Sequence, residues 1–174
     1  MKILVTGGAG FIGSAFVKLL SKKKFGLHVI DNLTYASNIK SIKPLINKNI
    51  IEFSKIDICD EEKLEKIYCD FKPNKIVHFA AESHVDNSIT APAKFIHTNI
   101  IGTYNLLNVS LKYYNSLKKI EKEKFLFHHV STDEVYGFLQ HPDDEDYNEN
   151  LSSDKNLFHE KTPYKPSSPY SASK

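Results

Sequence analysis

MKILVTGGAGFIGS, residues 1–14, is the stretch whose reading decides the fold. Lys2 to Thr6 is a short apolar run without alternation, the pattern of a parallel strand covered on both faces, and Gly7 ends it. Gly7, Gly10 and Gly13 recur every third residue, and Gly8-x-Gly10-x-x-Gly13 fits the same fingerprint in a second register. Backbone without Cβ at these positions lets the turn be tight, lets a pyrophosphate approach closely, and lets the following helix pack on the strand. From Phe11 the residues Ile12, Ala15, Phe16, Leu19 and Leu20 keep helical apolar spacing, which predicts a helix whose free N–H groups face the phosphates.

Leu27 to Asp31 reads as a second strand. Asp31 falls about 20 residues past the glycines, where a carboxylate can accept hydrogen bonds from an adenosine ribose. Its alternative role is to cap a loop. An acid there repels a 2′-phosphate, and the sequence contains no arginine to hold one, so NAD is the expected dinucleotide rather than NADP.

The chain has 174 residues, a length that predicts one domain over 1–174. A net charge of +2 argues against a nucleic-acid partner. Two cysteines, Cys59 and Cys69, form neither a disulfide framework nor a zinc set, and no metal site is expected. No apolar run approaches the about 20 residues that cross a bilayer, and a strand starting at Met1 leaves no room for a signal peptide. The expected location is a reducing cytoplasm, away from membranes.

Further along, residues 32–38 read as a polar loop walling an adenosine pocket, followed by a weak helix to about Leu45. Ile50 to Ile56 reads as a third strand. Asp57 at its carboxyl end either meets the adenine amino group or caps a helix over Glu61–Phe71. Lys75 to Phe79 is a fourth strand, with small residues behind it. A long helix is expected from about Ala93 to Tyr114, with Phe95, Ile96, Ile100, Leu107 and Leu111 on one side and Thr98 and Asn99 on a more polar one. Asn99 reads mainly as a structural residue. After a Lys/Glu connector, Phe125 to Ser131 is a fifth strand on which His128 and His129 point to opposite faces. Strands alternating with helices predict right-handed crossovers and a doubly wound parallel sheet of Rossmann type, an α/β fold with strand order 3-2-1-4-5. Gly137 to Pro166 reads as a long irregular loop. Ser168 suits an N-cap and Pro169 the first helical position of a helix that barely exceeds one turn, which suggests a piece of a longer protein.

Tyr170-x-x-x-Lys174 puts a phenol and an ammonium on one helix face. For Tyr170 to act as a base near neutral pH its pKa must fall from near 10 to near 7, about 4 kcal/mol, which a close Lys and a positive nicotinamide ring can supply. A plain surface pair is the alternative. Thr132-Asp133-Glu134 lies at the end of the fifth strand. Two adjacent carboxyls, one protonated and one ionised, can serve as acid and base in one elimination. Ideal strand geometry sends them to opposite sides, so both reach one site only if the backbone turns there.

TGGAGFIGS (6–14), DNLTYAS (31–37), DIC (57–59), AAESHVD (80–86), TNIIGTYNLL (98–107), HHVSTDEVYG (128–137) and SPYSASK (168–174) together resemble the extended short-chain dehydrogenase/reductase family and, within it, the nucleotide-sugar 4,6-dehydratases. The likeness covers essentially all 174 residues. Thr-Asp-Glu at 132–134 is the discriminating part, since epimerases of the family usually have Ser and no acid pair, and GDP-mannose dehydratases more often Thr-Ser-Glu. Asn87 departs from the pattern, which usually has Arg there. The resemblance implies a lyase using NAD on dTDP-glucose, with Asp133, Glu134, Tyr170 and Lys174 catalytic, Thr132 binding the sugar 4-oxygen and Ser83 near the sugar. For the cofactor it implies Phe11, Ile12, Asp31, Asn32, Leu33, Thr34, Asp57, Ile58, Phe79, Ala80, Ala81, Glu82, Ser83, Thr98, Tyr170 and Lys174, beside the glycines. It also implies a homodimer built on the long helix and the Tyr170 helix, and a full chain about twice this length.

Overall fold

The computed structural model describes residues 1–139 and 157–174. Five parallel strands lie in the order β3-β2-β1-β4-β5, as the strand and helix rhythm predicts. They are β1 (Lys2–Thr6), β2 (Gly26–Asp31), β3 (Glu52–Lys55), β4 (Lys75–His78) and β5 (Leu126–His129). The order reverses between β1 and β4, which opens a crevice above their carboxyl ends.

Side-chain alternation along the central strands feeds two cores. Leu4, Ile30 and Ile76 face α3 (Glu61–Phe71) and α6 (Thr103–Ser116), packing on Leu64, Tyr68, Phe71, Leu106 and Val109. Ile3, Val5 and Val29 face the other way, onto Val17 of α1 (Phe11–Leu20) and onto Ile42 and Ile51. A sheet apolar on both faces is stable only when helices cover both, which is why β1 reads as an unbroken apolar run.

The α1 helix is where the spacing puts it, but its buried face is Gly13, Ser14 and Val17, while Phe11, Ile12, Ala15 and Leu19 are exposed. Close approach of backbones sets that rotation. A Cβ on Gly13 would overlap the Gly7 carbonyl oxygen and lie 2.9 Å from the Gly8 Cα.

The long helix is present but not uniform. Short α5 (Pro92–Phe95) runs into a π-helical stretch, Ile96–Gly102, and then into α6. The wider π turn shifts every later side chain relative to a 3.6-residue period. Asn99, Gly102, Asn105 and Leu106 therefore turn inward, and Ile96, Ile100, Leu107 and Leu111, expected together with Phe95 on one side, are 46–58% exposed. Phe95 alone of that set is buried.

The weak helix after β2 resolves into a 3-10 turn, Ile39–Ser41, and α2 (Lys43–Asn47). The α3 helix is capped not by Asp57 but by Asp60, whose side chain accepts from the Lys63 amide. Two short helices, α4 (Val85–Thr90) and α7 (Lys119–Lys122), complete the connections before α8 (Pro169–Ala172). The irregular loop expected over 137–166 falls mostly on residues 140–156, outside the described residues. Among the described residues no helix is long and apolar enough to cross a membrane, and no group of three or more His, Cys, Asp or Glu side chains is placed to hold a metal ion.

Candidate active site

Above the carboxyl ends of β1 and β4 lies a cleft of about 350 Å³. Its floor is the glycine turn. Gly7 leaves β1 with φ +68°, and a Cβ there would come 2.5 Å from the Ala80 amide nitrogen, so the two strand ends touch only because residue 7 is glycine. The α1 helix opens directly on this floor. Its N-cap, Gly10, offers no side-chain cap, and the first turn holds no acid, so the amides around Phe11, Ile12 and Gly13 point at the cleft with their positive dipole end uncompensated. That is the environment a pyrophosphate needs.

One wall comes from the loop after β2. Asp31 is buried, and its carboxylate accepts from the Ala9 amide at 2.9 Å, the Leu33 amide at 2.8 Å and the Ser37 hydroxyl at 2.7 Å. The loop-capping reading of Asp31 therefore holds; Asp31 also lines the cleft, and a carboxylate has about four acceptor positions, of which these bonds use three. Asn32, Thr34, Asp57 and Ile58 also line the cleft, and Asn32 Nδ2 donates to Asp57 Oδ2 at 2.8 Å. Leu33 does not line it. With φ +58° its side chain turns back onto the core beneath α1, and its amide serves Asp31. Ser37, within the 32–38 loop expected to wall the pocket, also lines the cleft.

Phe79, Ala80, Ala81, Glu82, Ser83 and Thr98 form the opposite wall. Asn99, from the π turn, accepts from the Glu82 amide and donates to the Glu82 carbonyl at 2.8 and 2.9 Å, and donates again to the Ser173 hydroxyl. Its structural reading therefore holds, and it also links this wall to the segment bearing Tyr170.

The far end of the cleft is closed by Tyr170, Lys174, Val130 and Ser131. Ser168 caps α8 with Pro169 in its first turn, as expected. The Tyr170 ring packs edge-on to buried Phe95, centroids 6.4 Å apart. Thr132, Asp133 and Glu134 stand just beyond the lining residues. The chain turns there into a 3-10 segment, Asp133–Tyr136, started by Thr132, whose hydroxyl accepts from the Glu134 amide. This supplies the backbone turn that two adjacent acids require to reach one site. The segment packs against α8, which carries Tyr170.

The electrostatics differ from the expectation in one respect. Burial raises the Tyr170 pKa, the nearby Thr132 side chain opposes that, and the Glu134 and Asp133 charges raise it further. Lys174 does not lower it: its ammonium donates to the Val130 carbonyl at 2.8 Å, and burial brings its own pKa down to about 8. A buried ammonium needs an acceptor, and the strand-end carbonyl supplies one.

A family model described as GDP-mannose 4,6 dehydratase matches residues 4–174. A dTDP-glucose 4,6-dehydratase of Salmonella typhimurium is 52% identical over 175 residues, covering 100% of this chain and 47% of the relative. The solved dTDP-glucose 4,6-dehydratase of Streptomyces venezuelae, with NAD and TYD bound, superposes with a TM-score of 0.80 at 36% identity, over 99% of this chain and 48% of that one. The UDP-Glc/GlcNAc 4-epimerase of Campylobacter jejuni superposes at 0.78 with 30% identity, over 99% and 45%. The chain spans about half the length of the curated relatives it matches. Since the match takes in every strand, the glycine turn and the Tyr170 helix, this chain belongs to the GDP-mannose 4,6-dehydratase family.

Proposed function

We propose that residues 1–174 form one NAD-binding domain and carry the catalytic groups of a dTDP-glucose 4,6-dehydratase, which yields dTDP-4-keto-6-deoxyglucose. The observation that carries this reading is the Thr132-Asp133-Glu134 turn packed against Tyr170 at the end of the cleft. The glycine floor, the uncapped α1 terminus and the partly used Asp31 carboxylate fit a dinucleotide with a free ribose 2′-hydroxyl. In this reading Gly7, Gly10, Gly13, Phe11 and Ile12 hold the pyrophosphate, Asp31, Asn32 and Thr34 the ribose, Asp57 and Ile58 the adenine, and Phe79 to Ser83 with Thr98 the nicotinamide half.

NAD⁺, when bound, would accept the hydride removed from C4 and, once reduced, return it to C6. Tyr170 takes the proton of the sugar 4-hydroxyl, Thr132 holds the 4-oxygen, and Lys174 orients the groups at this end. A ketone at C4 makes the C5 proton acidic; Glu134 removes it and Asp133 protonates the departing 6-hydroxyl. Ser83 stands on the wall beside the sugar. The raised pKa of Tyr170 in the free protein means that it starts protonated, and a positive charge beside it in the cofactor complex favours its ionisation.

The exposed apolar face of α5–α6 supports a homodimer in which a second copy covers Ile96, Ile100, Leu107 and Leu111. A reducing cytoplasm and a role upstream of dTDP-rhamnose complete the reading. A second reading, a 4-epimerase, has the Campylobacter structure in its favour, while the acid pair favours loss of water.

Joining the chain to the C-terminal half of its Salmonella relative and incubating with dTDP-glucose and NAD⁺ separates these. A product lighter by one water is expected, and a product of unchanged mass supports the epimerase. The 174 residues alone are expected to bind NAD⁺ without turnover. A chain that binds no NAD⁺ by calorimetry overturns the proposal.

A further inference from the structure

Thr6 of β1, His78 of β4 and His129 of β5 are register partners, a polar row across the carboxyl end of the sheet. The proposed reaction uses none of them. His78 is completely buried, yet both ring nitrogens are engaged: Nδ1 lies 2.6 Å from Thr6 Oγ1 and Nε2 lies 2.9 Å from Thr103 Oγ1. Thr6 Oγ1 also accepts the Ala80 amide at 3.3 Å, and the Thr6 carbonyl accepts the Phe79 amide at 3.0 Å. One side chain of β1 therefore holds the start of the Phe79–Ser83 wall from below. On the other side of His78, Thr103 begins α6 where the π turn ends, four residues after the Asn99 that clamps Glu82.

Proton accounting fixes the direction of this chain. Because the Ala80 N–H donates to Thr6 Oγ1, the Thr6 O–H must find its own acceptor, and His78 Nδ1 is the close one. An accepting Nδ1 leaves the ring proton on Nε2, which donates to Thr103 Oγ1. The Ala80 amide, the Thr6 hydroxyl and the ring proton then each have an acceptor, and hydrogen bonds running in one direction strengthen one another. A second proton on the ring would leave Thr6 without an acceptor, and it would sit beside the half-buried His129 ring, 5.1 Å away between centroids, and near the Lys174 ammonium.

We propose that His78 is a positioning residue for the dinucleotide cleft: a neutral imidazole, protonated on Nε2 alone, that locks Thr6 against the Ala80 amide and so sets the depth of the wall that receives the nicotinamide half. The inference rests on reading the cleft as an NAD site.

The pair Thr6→Val and Thr6→Ser tests it, since valine keeps the shape and deletes the hydroxyl while serine keeps the hydroxyl. Thr6→Val is expected to weaken NAD⁺ binding about tenfold and to speed Ala80 amide exchange by a similar factor, the usual consequence of one lost buried hydrogen bond, with Thr6→Ser within about twofold of wild type in both. The ¹⁵N spectrum of wild-type His78 is expected to show a bare Nδ1 and a protonated Nε2 from pH 5 to 8, a reading that does not depend on any variant folding. A protonated Nδ1 overturns the proposal, as does a Thr6→Val protein that melts lower but binds NAD⁺ and exchanges Ala80 as wild type does. If the wild type binds no NAD⁺, the cofactor reading falls and with it the proposed role, while the tautomer and the Ala80 exchange report separately whether the relay exists.

Discussion

The Tyr35 hydroxyl donates to Glu82 Oε2 at 2.9 Å, tying the loop after β2 to the loop after β4, the two walls of the cleft. Both side chains reach across from segments 47 residues apart, and Tyr35 is 64% exposed, so the bond adds little to global stability. Its effect is on opening. Tyr35→Phe is expected to speed NAD⁺ dissociation about fivefold in stopped-flow while moving the unfolding free energy by less than about 1 kcal/mol. An unchanged off-rate would show that the walls part without breaking this bond.

Gly13 and Gly10 separate packing from ligand access. A Cβ on Gly13 strikes the Gly7 carbonyl oxygen and the Gly8 Cα, both backbone, so Gly13→Ala has no side chain to push aside and is expected to cost about 3 kcal/mol in chemical denaturation. A Cβ on Gly10 meets only the Gly7 oxygen, at 3.2 Å, and Gly10 lies at the cleft. Gly10→Ala is expected to cost about 1 kcal/mol or less in stability and to weaken NAD⁺ by at least about tenfold in calorimetry, because the methyl stands where a pyrophosphate must approach the backbone.

The proposed mechanism gives Asp133 and Glu134 different protons, and one substitution tells them apart. With Asp133→Asn in the chain joined to its relative's C-terminal half, C4 oxidation needs only Tyr170 and proceeds, while the 6-hydroxyl has no acid to leave with. Absorbance of reduced cofactor is expected to rise on adding dTDP-glucose without any product lighter by water, and the dehydration rate is expected to drop by about 10² or more. Normal dehydration would move the acid role away from Asp133.

How far the sequence could be read follows from which forces are local. The strands, their order and the glycine turn are written in short apolar runs and in positions that only glycine can occupy, such as Gly7 at φ +68°. Asp31, Asp57, Phe79–Ser83 and Tyr170 reach the cleft because strand ends converge there whatever the details. The failures have another character. The stripe from Ile96 to Leu111 was misplaced because a π turn changes the period, and nothing local announces one. Asp60 rather than Asp57 caps α3 because two nearby aspartates fit the same rule, and only the path of β3 decides between them. Lys174 bonds the Val130 carbonyl, a tertiary contact absent from the four-residue spacing to Tyr170.

The misplaced stripe makes its own prediction. Leu107 and Leu111 are 48% and 58% exposed on one stretch of α6, alongside Ile100 at 46%. Exposed aliphatics in such a row are costly to leave in water and inexpensive to charge in a monomer. Leu107→Glu is expected to convert a dimer to a monomer in sedimentation velocity at micromolar concentration, with the monomer's melting temperature within a few degrees of the parent. A parent that already sediments as a monomer at those concentrations would remove this face from the homodimer reading.

His78 also sets how the protein responds to acid. Burial drives its pKa down to about 3 from a model-peptide value of 6.5, with His129 and Lys174 pushing the same way, and burial lowers His28 and His129 too. The folded state therefore refuses protons that the unfolded chain accepts, and stability falls as pH drops from about 6.5 toward 3. The full His78 contribution over that span is on the order of 5 kcal/mol. The carboxylates held down by lysines, Asp60 beside Lys63 and Glu61 beside Lys112, add to the loss only once pH reaches their own range. Between pH 6.5 and about 4.5 the slope belongs to the buried histidines. Urea titrations across that window are expected to show stability declining in the wild type and a clearly flatter profile in His78→Gln, which cannot take up the proton. A variant whose slope matches the wild type would mean that His78 is already protonated in the fold, and that the hydroxyls of Thr6 and Thr103 accept from it instead.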